Sequence, residues 1–140
     1  MTHILLMEEM MSGRKYVITK EEAVSGDLPN NAGTFRIFID GPMCGAKDVS
    51  FLQNTMIAGR PGPIHSHPTE HCMYILSGKG TFKIEGQTMP LVPGTAVFIP
   101  PNIEHQTIAD QGGDLDYIII YAPAGPEKNL REKGAHAFDK

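Results

Sequence analysis

Three histidines stand at a fixed spacing in the stretch GRPGPIHSHPTEHCMYILSG, which runs from Gly59 to Gly78, and a fourth ends the stretch GTAVFIPPNIEH at 94–105. Two histidines separated by one residue on an extended strand have both rings on the same face. Imidazole is the commonest protein ligand of transition metals, and the ligands of one ion come from separate backbone segments. The sequence therefore predicts a metal site whose ligands are His65, His67, His71 and His105.

The length and charge of the chain limit its class. A chain of 140 residues forms one domain that can bury a core without disulfides, so we expect Cys44 and Cys72 to be free thiols in a reducing compartment. The net charge of −4 gives no basic face for nucleic acid, and no segment has the length and hydropathy of a membrane span. The N-terminal residues do not resemble a signal peptide. We expect a cytoplasmic protein that binds neither nucleic acid nor membranes.

Short alternating segments separated by glycine- and proline-rich turns follow one another from residue 33 onward. Such segments are typical of antiparallel strands in a sandwich or barrel. We expect a single domain whose barrel covers about 33–123, with loosely ordered tails at 1–14 and 126–140. The predicted strands are 34–40, 49–58, 72–76, 81–85, 94–100, 105–109 and 115–121.

The strand after His71 is apolar on both faces. If His71 faces inward, alternation sends Met73 and Ile75 inward and Tyr74 and Leu76 outward. An apolar outer face has to be covered, either by another sheet of the same chain or by a second copy. We expect both, namely sheet-on-sheet burial within the chain and a homodimer.

The two histidine-containing stretches resemble the paired motifs of the cupin superfamily, over residues 59–109. His71 stands where the family usually has glutamate, while Asn102 and Ala109 replace a glycine and an asparagine of the second motif. The residues in register with the family motifs are Gly59, His65, His67, Gly78, Gly94, Pro100 and His105. The resemblance implies an all-β fold, a double-stranded β-helix or jelly-roll barrel with short irregular termini, and a site inside it. It places the chain among the small single-domain cupins with four histidines.

The replacement at His71 changes the charge of the site. Four neutral imidazoles leave a divalent ion with its full charge, which makes it a stronger Lewis acid and favours anionic oxygen ligands. Glu70 is the alternative carboxylate ligand, but it lies one residue off the motif position and its parity sends it outward. Nitrogen ligands suit one divalent transition metal, which the sequence leaves open among iron, manganese, nickel, zinc, cobalt and copper.

Further side chains are candidates for the walls of the site. Thr107 follows His105 on one strand face, and on the last strand Tyr117 and Tyr121 share one face, although the sequence does not fix which face is inner. A buried phenol can donate a hydrogen bond or a proton, but it can equally be a packing residue. Arg36 can bind a carboxylate, yet an exposed arginine on a strand is the more ordinary explanation. The complete set of candidates is Asn54, Met56, Thr107, Tyr117, Tyr121 and Arg36.

Two classes of function fit this pattern. The first is a metal-dependent enzyme that acts on a small, oxygen-rich and anionic molecule. Within that class we favour dioxygenase-like redox chemistry over a metal-polarised lyase, isomerase or decarboxylase reaction. The second is a non-enzymatic protein that binds a metal or a small ligand.

Overall fold

A computed structural model describes residues 15–137, in which two antiparallel sheets face each other. The predicted loose segment at 1–14 lies outside the described residues. The strands are β1 (Val24–Asp27), β2 (Gly33–Ile39), β3 (Ser50–Met56), β4 (Glu70–Ser77), β5 (Gly80–Ile84), β6 (Gln87–Leu91), β7 (Ala96–Ile99), β8 (His105–Ala109) and β9 (Leu115–Ala122). The helices are α1 (Gly41–Cys44) and α2 (Glu127–Lys133), and short 3-10 turns cover Pro29–Asn31 and Gly134–His136.

The larger sheet has the strand order β1-β2-β3-β9-β4-β7, and the smaller one has the order β6-β5-β8. An extended segment between β3 and β4 lies along β8. The amide of Gly62 donates to the carbonyl of Thr107 at 3.0 Å, and His65 and His105 exchange two backbone hydrogen bonds of 3.1 and 2.9 Å. The predicted jelly-roll fold is confirmed, and its inner faces enclose the core.

Alternation along the central strands fills the interior. On β3 the side chains of Leu52, Asn54 and Met56 are buried, and on β4 those of His71, Met73 and Ile75. The side chains between them on β4 are exposed, as the sequence predicts. The pleat of each strand therefore puts the histidine and its apolar neighbours into the same enclosed space.

Two strands of the structure are absent from the sequence-based prediction. β1 and β6 were not predicted, because β1 is only four residues long and β6 is exposed at four of its five positions, so neither has an alternating apolar pattern.

The segment expected to be a loose C-terminal tail instead packs against the barrel from Pro126 to Ala137. Leu130 of α2 is 2 % exposed. The carboxylate of Glu127 accepts hydrogen bonds from the Ser50 hydroxyl and the Gly125 amide, both at 2.8 Å. Arg131 pairs with the buried Asp40 at 2.8 Å. The partners of α2 lie far away in the sequence, so the local pattern of this charged segment does not reveal its packing.

Within the described residues, no helix is long and apolar enough to cross a membrane.

Candidate metal centre and adjoining cavity

Three segments of backbone bring the four histidines together. His65 and His67 lie on the extended segment beside β8, and His105 is the first residue of β8 itself. His71 enters from β4, where its backbone pairs with Ile99 on one side and Tyr121 on the other. The turn at Pro68 allows this entry, because it separates the extended segment from β4.

The ring nitrogens of His65, His67 and His105 form a compact group in which the ligand atoms lie within 4.8 Å of one another. The His71 ring adjoins this group, with its centroid 5.1 Å from that of His67 and 5.0 Å from that of His105. The Nε2 atom of His71 is buried and has no hydrogen-bond partner within residues 15–137. Nitrogen ligands about 2.1 Å from an ion are about 3–4 Å apart, so these residues fit a metal after small side-chain movements. The role of His71 as a fourth ligand stays a prediction.

Hydrogen bonds to the backbone fix the tautomers of two rings. The Nδ1 atoms of His65 and His105 lie 2.9 Å from the carbonyl oxygens of Pro63 and Ile103. A carbonyl can only accept, so each Nδ1 must be protonated and each neutral ring has its lone pair on Nε2. Such bonds orient the ring of a metal ligand and raise its basicity. Both rings are therefore prepared to bind an ion through Nε2.

Burial keeps the imidazoles neutral. Desolvation, with a smaller effect of the neighbouring imidazoles, lowers the pKa of His65 to about 4, that of His67 to about 2 and that of His71 to about 3. Desolvation also lowers the pKa of His105. A metal ligand has to be deprotonated, so this environment favours the form of each ring that binds an ion.

Two phenols lie on the inner face of β9. Tyr121 contacts the histidine cluster, with its ring centroid 5.1 Å from that of His71 and 5.4 Å from that of His67. Tyr117 accepts a hydrogen bond from Asn54 Nδ2 at 3.1 Å. Burial raises the pKa of Tyr117 to about 12 and also raises that of Tyr121. Both phenols are therefore protonated at neutral pH and can donate a hydrogen bond.

A cavity joins the histidines to the interior of the barrel. It has a volume of about 500 Å³ when its open part is included, and only a small part of it is wide enough for the centre of a water molecule. Its walls are mostly apolar, and the described residues that line it include no Asp, Glu, Lys or Arg. A slim and largely apolar molecule fits such a space better than a highly charged one.

The cavity includes most of the candidate side chains named from the sequence. Asn54, Met56, Thr107, Tyr117 and Tyr121 line it, so the inner face of β9 is the one with the tyrosines. Leu28, Pro29, Ala32 and Leu130 also line it but were not predicted. They come from chain segments outside the motifs, and no local pattern indicates that these segments fold against the cavity.

Arg36 is not in the cavity, contrary to its candidate role. Phe35 and Ile37 of β2 are buried in the core, so alternation directs the Arg36 side chain to the outer face. Glu70 is exposed at the start of β4, on the opposite face from His71, in agreement with its predicted outward direction.

The fold and the buried cluster define a class: a double-sheeted β-barrel with a histidine site in its interior. A family model described as Cupin domain matches residues 54–121, which include all four histidines. Over these residues the chain contains a domain of the cupin superfamily.

Known proteins resemble this chain in part of its sequence and in its fold. A glucose-6-phosphate isomerase of Thermococcus gammatolerans is 35% identical over 68 residues, which cover 44% of this chain and 36% of that protein. The chain thus spans about a third of the length of this curated relative.

Two solved structures illustrate the similarity in fold. An RmlC-like cupin from Shewanella frigidimarina has a TM-score of 0.69 at 16% identity, with coverage of 81% of this chain and 96% of that one. The polyketide cyclase RemF from Streptomyces resistomycificus also has a TM-score of 0.69, at 19% identity, with coverage of 88% and 97%. At these identities the likeness concerns the fold alone.

Proposed function

We propose that this protein is a metal-dependent enzyme that binds a small molecule through oxygen atoms beside the histidine cluster. One divalent transition ion would be held by His65, His67, His71 and His105, and it would supply Lewis acidity or, with iron or manganese, redox chemistry. The observation that carries the proposal is the convergence of neutral, pre-oriented imidazoles on an enclosed cavity.

The side chains around the cavity favour dioxygenase-like chemistry on an enol or diol. The described part of the cavity wall has no carboxylate or lysine, its imidazoles are assigned to the ion, and its phenols are protonated. An isomerase that removes a proton from carbon needs a general base, which this wall does not offer. Oxidation of an enolate or a catecholate needs no general base, because such a molecule binds in its deprotonated form.

A decarboxylase is the second candidate, and Tyr121 is the observation that favours it. Loss of CO2 leaves a carbanion that has to take up a proton. The phenol of Tyr121 is a buried donor in contact with two of the histidines. The site therefore offers the acid that this reaction needs, without the base that an isomerisation needs.

The partial sequence similarity to an isomerase supports an enzymatic role without fixing the reaction. The isomerase matches 44% of this chain, and the cyclase, at 19% identity, shares its fold alone. The choice between the reactions therefore rests on the residues of the site.

Metal analysis combined with turnover assays tests the proposal. The protein is purified with and without oxygen, its metal content is measured, and oxygen uptake is followed with catechol and benzoylacetone as probes. Release of CO2 from 2,3-dihydroxybenzoate without oxygen is followed in parallel. We expect a redox-active metal and metal-dependent oxygen uptake.

Substitution of Tyr121 separates the two enzymatic candidates. Tyr121→Phe is expected to lower CO2 release by about 100-fold if this phenol delivers the proton. Tyr16→Phe, at a residue that is 74% exposed, is the matched control and should have no effect. Absence of metal-dependent oxygen uptake would contradict the dioxygenase. Binding of the probes without either reaction would identify a non-enzymatic binding protein instead.

A further inference from the structure

One side chain in the cavity has an unused hydrogen-bonding atom. Asn54 lies on the inner face of β3 and is 4% exposed. Its Nδ2 donates to the Tyr117 hydroxyl, but its Oδ1 has no hydrogen-bond partner within residues 15–137. A buried polar atom of this kind destabilises the fold, so its presence in a native protein requires an explanation.

Turning the amide does not remove the unused atom. In the turned orientation Oδ1 accepts the Tyr117 hydroxyl proton, and Nδ2 becomes the group without a partner. In the observed orientation the phenol of Tyr117 accepts from Asn54 and keeps its own proton to donate. In either orientation, the pair formed by Asn54 and Tyr117 retains hydrogen-bonding capacity that the described residues do not use.

The pair is separated from the histidine cluster by apolar walls. Tyr117 and Tyr121 are four residues apart on β9, which corresponds to about 13 Å along the strand. The inward residue between them is Ile119, and Met73 lies opposite it on β4. The cavity thus has oxygen-binding groups in two places, and the stretch between them is apolar except for the hydroxyl of Thr107, which lies beside Met73.

We propose that Asn54 and Tyr117 form a second anchor for the substrate. This inference rests on the proposed function, in which the substrate binds a metal through oxygen atoms. The ligand class is then a slim molecule with an apolar, ring-bearing body, two oxygen donors at one end and one hydroxyl or carbonyl at the other. The metal-binding end lies at the histidines, the body lies along Ile119 and Met73, and the distal oxygen bonds to the pair.

The chemistry of the walls excludes other classes of ligand. Sugars and polyols have hydroxyl groups along their whole length. In the middle of this cavity only the Thr107 hydroxyl can bond to them, so most of these groups would lose their bonds to water. A phosphate at the distal end would find no cation, because no Lys or Arg of the described chain lines the cavity. A single ligand hydroxyl can donate to the unused Asn54 Oδ1, and a single carbonyl can accept from the Tyr117 hydroxyl.

A set of hydroxamate probes tests the second anchor on the metal-loaded full-length protein. Benzohydroxamate and biphenyl-4-carbohydroxamate provide the metal-binding end on bodies of two lengths, and each is compared with its analogue that has a hydroxyl at the far para position. Affinities are measured by isothermal titration calorimetry. We expect the hydroxyl to tighten binding about ten-fold at the body length that reaches the pair.

Three variants locate that gain. In Asn54→Leu and in Tyr117→Phe the probes with and without the hydroxyl should bind with nearly equal affinity. The metal content should stay the same. Gln53→Leu, on the outer face of the same strand, is the matched control and should keep the full gain. A second readout needs no metal: the double variant Asn54→Leu/Tyr117→Phe should leave the melting temperature unchanged or raise it, because both partners of a buried hydrogen bond and the unused amide atom are removed together. Tyr117→Phe keeps the test available if Asn54→Leu fails to fold.

The outcomes separate the anchor from the metal site. If the probes bind equally with and without the hydroxyl at both lengths, or if the gain persists in Asn54→Leu, the anchor is overturned while the metal site stands. If no hydroxamate binds to the metal-loaded protein, the proposed function fails and the anchor fails with it. A lower melting temperature of the double variant, together with an unchanged hydroxyl gain in Asn54→Leu, would assign the pair a structural role only.

Discussion

His71 is the residue that decides the charge of the candidate metal centre. Its ring adjoins three other neutral imidazoles, and its Nε2 is buried without a partner among the described residues. In the family motif this position usually has a carboxylate. A neutral ligand leaves more positive charge on the ion, which strengthens its attraction for anionic oxygen.

Substitution of His71 tests its role as a ligand. His71→Ala should lower metal affinity by about 100-fold, because one nitrogen is lost from the site. His71→Glu should keep the metal and shift the preference among metals, because it restores a charged oxygen ligand. Metal content after dialysis against a chelator and competition titrations measure both effects. His136→Ala, at an exposed residue, is the control. Unchanged metal content in His71→Ala would contradict the four-ligand assignment.

At the scale of elements, the turn after β4 depends on a glycine for two reasons. Gly78 has a φ of +84°, a conformation that side chains disfavour. A Cβ atom at this residue would also lie 2.1 Å from the carbonyl oxygen of Asp114. Gly94, before β7, has a similar φ of +85°, but a Cβ atom there would meet nothing within 4 Å. Both glycines belong to the motifs, yet only one is required by a close contact.

The two glycines therefore make a matched pair for a stability measurement. Gly94→Ala should lower the free energy of unfolding by about 1 kcal/mol, the cost of a positive φ alone. Gly78→Ala should lower it by about 3 kcal/mol or more, because the backbone around Asp114 has to move. Urea unfolding of both variants measures the difference. Equal effects would show that the contact with Asp114 relaxes freely.

At the scale of the whole molecule, the interior keeps four imidazoles uncharged, and this links stability to pH. The pKa values of His65, His67 and His71 are lowered to about 4, about 2 and about 3. In the unfolded chain these rings take up protons below about pH 6.5. Stability is therefore complete above pH 6.5, and it is lost as the pH falls from there towards the lowered values.

Unfolding of the metal-free protein at two pH values tests this linkage. Between pH 7.5 and pH 5 each such histidine should remove about 2 kcal/mol from the free energy of unfolding. His67→Asn should reduce the loss by about the share of one histidine, which isolates the effect from that of the carboxylates. A wild-type loss no larger than that of His67→Asn would disprove the linkage.

The outer face of the larger sheet carries exposed apolar side chains. Phe98 is 62% exposed and pairs with Cys72, and Tyr74 and Leu76 are exposed on the same face. A twofold interface places one patch against its own copy, so a self-complementary apolar patch fits it. The homodimer stays a prediction, with this face as its interface.

Substitution of Phe98 tests the homodimer. Phe98→Asp should convert a dimer into a monomer, because it would bury two charges at the interface. Size-exclusion chromatography with light scattering measures the mass. Met89→Asp, at an exposed residue of the smaller sheet, is the control that should leave the dimer intact. A monomeric wild-type protein would refute the prediction.

The sequence alone predicted the barrel, most of its strands and the convergence of the histidines. Alternation with a period of two is a local property, so the direction of Met73 or Thr107 follows once one histidine faces inward. The choice of face for Tyr117 stayed open, because β9 is apolar on both faces and its own sequence does not distinguish them.

Only the tertiary structure showed how the cavity is closed and which side chains line it. The packing of α2, the contribution of Leu130 to the cavity and the unused atom of Asn54 depend on residues far apart in the chain. The outward position of Arg36 follows from the burial of its neighbours on β2, Phe35 and Ile37, in the core. Spacing along one strand fixes which side chains share a face, but contacts between distant segments depend on how the whole chain encloses its interior.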